Sequence, residues 1–229
     1  MIKNVTATCL LLVGLLTVTA CETKEQGKEA GTSTVAAPDK TKSKPTKTVL
    51  FFGDSLTAGY GLDDPASDSY PSVVQERIKE ANLPYTVVNA GNSGETSAGG
   101  LGRIDWVLKQ KVDVFVLELG ANDGLRGILV SDMERNLQAI IDKVKAKYPD
   151  AKLVITGMQV PPSMGAAYAG EFRAVFPQLA LKNKMTLVPF LLNNVGGIAK
   201  LNQADGIHPT KDGAKIVANN VWSVLKTVL

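Results

Sequence analysis

The sequence predicts an α/β fold, a three-layer α/β/α sandwich built around a five-stranded parallel sheet. Two observations lead to this prediction. Short apolar runs alternate with helical patterns as far as the C-terminus, and the first run, residues 49–52, is four consecutive apolar residues, which is typical of a strand buried on both faces. Strands that alternate with helices are joined by right-handed crossovers, which place helices on both faces of the sheet. We therefore expect a single domain over residues 49–229.

The individual elements follow from local patterns. Ser69 with Pro71 just after it indicates a helix start, and Val74 and Ile78 are spaced to share a buried face. Further helices are predicted over residues 99–109, 171–183 and 211–228. A long helix is also predicted to begin with a Ser131/Glu134 capping box, with Leu137, Ile141 and Val144 facing inward. The later strands are predicted at residues 85–89, 112–119, 153–156 and 186–189.

The front of the chain has the pattern of an export signal. Residues 1–20 carry one cation, Lys3, and an apolar stretch that is too short to cross a bilayer, so we interpret them as a signal peptide. The segment ending at Cys21 resembles the lipobox of bacterial lipoproteins, which implies lipidation of Cys21; cleavage near Ala20 that leaves a free thiol is the alternative. The expected location is periplasmic, with a lipid anchor in a bacterial membrane, the outer membrane being favoured.

Residues 21–48 are predicted to consist of the lipidated Cys21 and a flexible linker, because this stretch has almost no apolar side chains to bury. The formal net charge of +3 arises entirely before Val49, and the remainder holds 18 basic and 18 acidic residues. This balance argues against a nucleic-acid partner. The sequence has no phosphate-binding glycine loop and no Cys/His cluster, so we expect neither a cofactor nor a metal.

Polar loops follow three of the predicted strands, and in this architecture they emerge at one edge of the sheet. Ser55 lies in the first of these loops, and His208, the only histidine, precedes the last helix. Asp205 lies three residues before His208, close enough to orient the imidazole. We therefore predict Ser55 as nucleophile, His208 as base and Asp205 as the orienting acid.

Acyl transfer at Ser55 also needs donors for the oxyanion that forms on the substrate carbonyl. The Ser55 backbone N–H, a glycine N–H from loop 91–96 and the Asn122 amide are the candidates. Taken alone, Asn122 followed by Asp and Gly is more typical of a turn residue than of an oxyanion donor, and it is the combination of the polar loops that favours the second interpretation.

At this point the sequence resembles the SGNH (GDSL) hydrolase family, in the branch of bacterial acyl-CoA thioesterase I, lysophospholipase L1 and arylesterases. The resemblance rests on residues 53–56, the loop around Gly94, residues 120–123 and the Asp-x-x-His of residues 205–208. It implies a flavodoxin-like sheet, a catalytic Ser55, Asp205 and His208, and an oxyanion hole of Ser55, Gly94 and Asn122. Two features depart from the branch: Ala121 in place of the usual glycine, and a longer segment at residues 61–68.

The expected activity is hydrolysis of small acyl esters or lysophospholipids, with thioesters as related substrates. Residues 160–165 resemble the branch's loop over the acyl chain, and with Met158, Tyr168 and Leu192 they either line an apolar groove or belong to the ordinary core. Two alternatives stay open: a carbohydrate O-acetylesterase with a more polar cleft, and a non-catalytic lipoprotein that uses the fold for binding. The oligomeric state is left open by the sequence.

Overall fold

The computed structural model describes residues 46–229, which form a five-stranded parallel sheet in the order β2-β1-β3-β4-β5. All four strand pairings are parallel, as the alternating pattern predicts. The strands are β1 (Lys47–Gly53), β2 (Tyr85–Gly91), β3 (Val114–Glu118), β4 (Lys152–Thr156) and β5 (Thr186–Val188).

The centre of the sheet carries the most apolar strands. Val49 to Phe52 of β1 and all five residues of β3 are buried, because helices cover both faces there. Strand β1 begins at Lys47, two residues earlier than the apolar run suggests. The extra residues pair with β2, where Lys47 lies opposite Tyr85.

Eight α-helices connect and cover the strands within residues 46–229. They are α1 (Ser55–Ala58), α2 (Pro65–Asp68), α3 (Tyr70–Glu80), α4 (Ser97–Val107), α5 (Ala121–Leu125), α6 (Val130–Lys147), α7 (Ala166–Asn183) and α8 (Lys211–Leu225). Helices α3 and α8 pack against each other on one face of the sheet, and α6 packs against both α4 and α7 on the other. The three-layer prediction is confirmed.

The predicted start of α6 is wrong in detail. The helix begins at Val130 with Leu129 as its N-cap, and no side chain caps it, so Ser131 and Glu134 do not form a capping box. The buried face is as predicted, with Leu137, Ile141 and Val144 inside. Helix α7 also begins five residues before the predicted position 171, and the short helices α1, α2 and α5 are not apparent in the sequence pattern.

The predicted signal peptide, the lipidation site Cys21 and most of the predicted linker lie outside the described residues. In residues 46–229 no helix has both the length and the apolar composition that a bilayer crossing requires.

Candidate active site

Ser55, His208 and Asp205 meet at the carboxyl edge of the sheet, although Ser55 and His208 are 153 positions apart in the chain. His208 Nε2 lies 2.9 Å from Ser55 Oγ, and His208 Nδ1 lies 2.7 Å from Asp205 Oδ2. The carboxylate accepts the Nδ1 hydrogen, which leaves Nε2 unprotonated and able to accept the hydroxyl hydrogen of Ser55. The three side chains thus form one hydrogen-bonded chain.

Local structure fixes Ser55 at this edge. Strand β1 ends at Gly53, and Asp54 then caps helix α1 by accepting a hydrogen bond from the Leu56 N–H at 3.0 Å. Ser55 is therefore the first residue of a helical turn, and only 8% of its surface is exposed. The buried strand behind it holds the backbone in place.

The loop before α8 fixes the imidazole in a similar way. Asp205 Oδ1 accepts hydrogen bonds from the backbone N–H groups of Ile207 and His208, both at 3.0 Å. The Asp-x-x-His spacing closes this small turn, so the same carboxylate that orients the ring also shapes the loop. These bonds, first the two from His208 and then the one from Ile207, lower the pKa of Asp205 to about 2.

The predicted oxyanion donors lie around the same cleft. Ser55, Gly94 and Asn122 all line it, and Asn122 Nδ2 donates one hydrogen to Asp54 Oδ2 at 3.1 Å. Gly94 has a φ of 78°, a left-handed conformation that glycine adopts without steric cost. Within residues 46–229 the N–H groups of Ser55 and Gly94 donate to no other protein group. The cleft is thus lined by three residues that each have an N–H hydrogen without an acceptor among the described residues.

The cleft is large enough for a chain-like substrate. It has a volume of about 750 Å³ and its walls are mainly apolar. Its lining includes Met158, Val160, Pro161 and Leu192, which agrees with the predicted groove. Tyr168 does not line the cleft. Its hydroxyl donates to the Ile128 carbonyl oxygen and its ring stacks on Phe172, so its role is in packing.

The structure adds side chains that sequence reasoning did not assign to the site. The Tyr60 ring packs on the His208 imidazole, with centroids 4.7 Å apart, and Arg126 donates to the Gly94 carbonyl oxygen at 2.9 Å. Asp54 is buried and contacts buried Glu118. The one signal in the sequence that could have indicated the Asp54–Glu118 pair is the position of Glu118, a charged residue at the end of an apolar strand.

Residues 61–68, the segment that is longer than usual for the resembled branch, form a turn followed by the short helix α2. Within residues 46–229 no three His, Cys, Asp or Glu side chains come together in a way that would hold a metal ion.

Comparison with known proteins identifies the family. Residues 51–216 match the family described as GDSL-like Lipase/Acylhydrolase. The chain is 40% identical to esterase TesA of Pseudomonas aeruginosa over 190 residues, which cover 82% of this chain and 92% of that protein. It is 37% identical to thioesterase 1/protease 1/lysophospholipase L1 of Escherichia coli, covering 75% of this chain and 80% of that protein.

A solved structure extends the comparison to three dimensions. Psychrotrophic esterase EstA from Pseudoalteromonas sp., in a form inhibited by monoethylphosphonate, superposes with a TM-score of 0.74 at 32% identity. The match covers 80% of this chain and 98% of that one. A family match over most of the described residues and relatives at this level of identity leave no other assignment: the chain belongs to the GDSL-like lipase/acylhydrolase family.

Proposed function

We propose that the protein hydrolyses carboxylic esters through an acyl-enzyme formed on Ser55. The main support is the hydrogen-bonded chain Ser55–His208–Asp205, which faces the same cleft as the Ser55 and Gly94 residues and the Asn122 amide. The names of the relatives, esterase and thioesterase/lysophospholipase, support the same reaction class.

In the first half of the reaction, Ser55 Oγ attacks the ester carbonyl carbon and passes its proton to His208 Nε2. The carbonyl oxygen becomes an oxyanion that accepts hydrogen bonds from the Ser55 and Gly94 N–H groups and from Asn122 Nδ2. When the tetrahedral intermediate collapses, the C–O bond to the alcohol breaks and His208 returns the proton to the departing oxygen. Asp205 stabilises the imidazolium throughout.

In the second half, water attacks the acyl-enzyme while His208 accepts one of its protons. The carboxylic acid leaves and Ser55 Oγ regains its hydrogen from His208. Atoms and charges balance without any further reactant, so the described side chains suffice for turnover.

The cleft favours esters with an acyl chain over acetylated sugars. Its walls are formed by aliphatic and aromatic side chains, including Leu125, Met158, Val160, Phe190 and Leu192. Burial of the methylene groups of an acyl chain against such walls is favourable, and the walls offer few hydrogen-bond partners to sugar hydroxyls. Lysophospholipids, aryl esters and thioesters all carry chains or rings of this kind, and we propose simple acyl esters and lysophospholipids as the natural class.

The experiment compares nitrophenyl esters of increasing chain length with acetyl-xylan, for the wild type and for Ser55→Ala. We expect medium chains to be the best substrates and Ser55→Ala to lose at least about 1000-fold in kcat. Ser223→Ala, at an exposed serine on α8, is the matched control. A preference for acetyl-xylan would favour the O-acetylesterase. Wild-type protein without activity on any ester would favour the non-catalytic binding module.

We also propose that the protein is exported and held at a membrane by acylation of Cys21. Support comes from the sequence alone, from the apolar leader and the small residues before Cys21. Cys21→Ala expressed in a bacterium with lipoprotein processing is expected to move the protein from the membrane fraction to the soluble fraction. An unchanged distribution would contradict the anchor. Because the described catalytic residues are far from Cys21 in sequence, hydrolysis of a soluble ester should not change.

A further inference from the structure

Two carboxyl groups are buried side by side directly behind the catalytic serine. Asp54 is 1% exposed and Glu118 is 0% exposed. Strands β1 and β3 are neighbours in the sheet, and their register pairs Gly53 with Glu118, so the residue after Gly53 is brought against the Glu118 side chain. A side chain at position 53 would occupy the space of the Glu118 carboxyl, which explains the glycine there.

The hydrogen-bond partners of Glu118 are all neutral. Its Oε2 accepts from the Asp54 backbone N–H at 3.1 Å and from the Thr57 hydroxyl at 2.8 Å. Because Thr57 donates its only hydroxyl hydrogen to Glu118, it accepts the hydrogen of the buried Tyr70 hydroxyl, 2.8 Å away. Glu118 Oε1 is buried and receives no N–H or O–H donor.

No cation compensates the pair. Within residues 46–229 no Lys or Arg side chain forms an ion pair with either carboxyl. The titratable groups that bear on the pair are Tyr70 from α3, which is neutral, and His208 from the loop before α8. Two adjacent carboxylates without a cation do not both stay ionised in a buried site.

We propose that Glu118 is a positioning residue for the oxyanion hole, which remains protonated during turnover and donates a hydrogen bond to the Asp54 carboxylate. The inference rests on the proposed function, since it concerns the same site. The direction of the titration agrees: burial raises the pKa of Glu118 well above its ordinary value, and the nearby Asp54 charge raises it further.

Glu118 affects the reaction through Asp54 and Asn122. Asp54 holds one hydrogen of the Asn122 amide, which aims the other hydrogen at the cleft. A protonated Glu118 keeps the Asp54 carboxylate in place and limits the pair to one negative charge. A second charge here would oppose the negative charge that develops on the substrate oxygen. Glu118 therefore acts on the transition state without touching the substrate.

The first test uses steady-state kinetics with a soluble nitrophenyl ester. Glu118→Gln keeps a neutral side chain that can donate to Asp54, so kcat is expected to stay within about 3-fold of wild type. Glu118→Ala removes the support for Asp54 and is expected to lower kcat about 30-fold with little change in KM, because the oxyanion donor is displaced. Glu76→Gln, an exposed change on α3, is the matched control.

Rescue by Gln but not by Ala supports the proposal. A loss in Glu118→Gln as large as in Glu118→Ala would overturn it, since an ionised Glu118 would then be required. A normal kcat in Glu118→Ala, or an effect on KM alone, would also overturn it.

The second test does not depend on how Glu118→Ala folds or on activity. Difference infrared spectroscopy of wild type against Glu118→Gln at neutral pH should contain the carbonyl stretch of one protonated carboxyl group, lost in the variant. Absence of that band would overturn the proposal. If the wild type hydrolysed no ester, the proposed function would fail, while this band would still decide the state of the carboxyl pair.

Discussion

Asp205 combines two tasks in a four-residue stretch. One carboxylate oxygen accepts two backbone N–H groups and shapes the loop, and the other accepts the Nδ1 hydrogen of His208. These bonds keep the pKa of Asp205 near 2, so the residue is fully ionised over any pH at which His208 acts as a base. The short spacing is why this pair was recognisable from the sequence.

Asp205→Asn tests the orienting role. An amide in this position presents an N–H toward the ring and disfavours the tautomer in which Nε2 accepts the Ser55 hydrogen. We expect kcat to fall by about 1000-fold or more, measured with a soluble ester, while circular dichroism shows an unchanged fold. A nearly normal kcat would contradict the assigned role. Asp212→Asn, at an exposed position on α8, serves as the control.

Asn122→Ala tests the oxyanion hole. Loss of one such donor typically costs about 100- to 1000-fold in turnover. If the bond from Asn122 Nδ2 is made mainly in the transition state, kcat falls and KM changes little. An effect confined to KM would instead assign Asn122 to ground-state binding.

At the scale of elements, the β1–β3 register and the loops after the strands position the chemistry. The sequence showed which loops follow strands, and thus which residues share one edge. It did not show the register of β1 and β3, because neighbours in a parallel sheet are set by tertiary packing. The Asp54–Glu118 pair depends on that register and was therefore missed. The predicted capping box is absent because α6 already begins at Val130, with Leu129 as its N-cap.

The carboxyl pair predicts a pH dependence of stability. The unfolded chain releases the Glu118 proton near pH 4.3, about the usual value for Glu, whereas the folded protein keeps it at higher pH. The folded state then binds one more proton than the unfolded state, so the free energy of unfolding falls as pH rises.

Glu118→Gln removes this proton and serves as the comparison. The stability of Glu118→Gln relative to wild type is expected to increase as pH rises above about 4.3, the usual pKa of Glu, because only the wild type loses this contribution. Urea unfolding at several pH values measures the difference. Parallel curves for the two proteins would contradict a protonated Glu118.

Helix α5 supplies an exposed side chain to the wall of the cleft. Leu125 is 44% exposed and lines the cavity, so Leu125→Asn should weaken binding of acyl chains without disturbing the core. We expect the ratio of kcat/KM for an octanoyl ester to that for an acetyl ester to fall roughly 5-fold. Leu181→Asn, at a more exposed leucine on α7, should leave the ratio unchanged. An equal loss for both esters in Leu125→Asn would argue against an acyl wall.

At the scale of the whole molecule, the doubly covered parallel sheet brings residues from both ends of the domain to one edge. The fold class and the meeting of Ser55, Asp205 and His208 were predictable, because strand–helix alternation fixes which loops share an edge. The side chains that line the cleft were less predictable. Tyr168 was expected in the groove but is half-buried against Phe172, since a periodic apolar pattern does not distinguish a cleft wall from the side chains that pack on the core.

In the proposed reaction Ser55 carries the acyl group. The most direct measurement is mass spectrometry of the protein after reaction with a serine-directed phosphonate, combined with residual ester hydrolysis. We expect one adduct per chain, on the peptide that contains Ser55, with activity lost in proportion to labelling and no adduct in Ser55→Ala. An adduct on another residue, or full hydrolysis by a completely labelled protein, would contradict it.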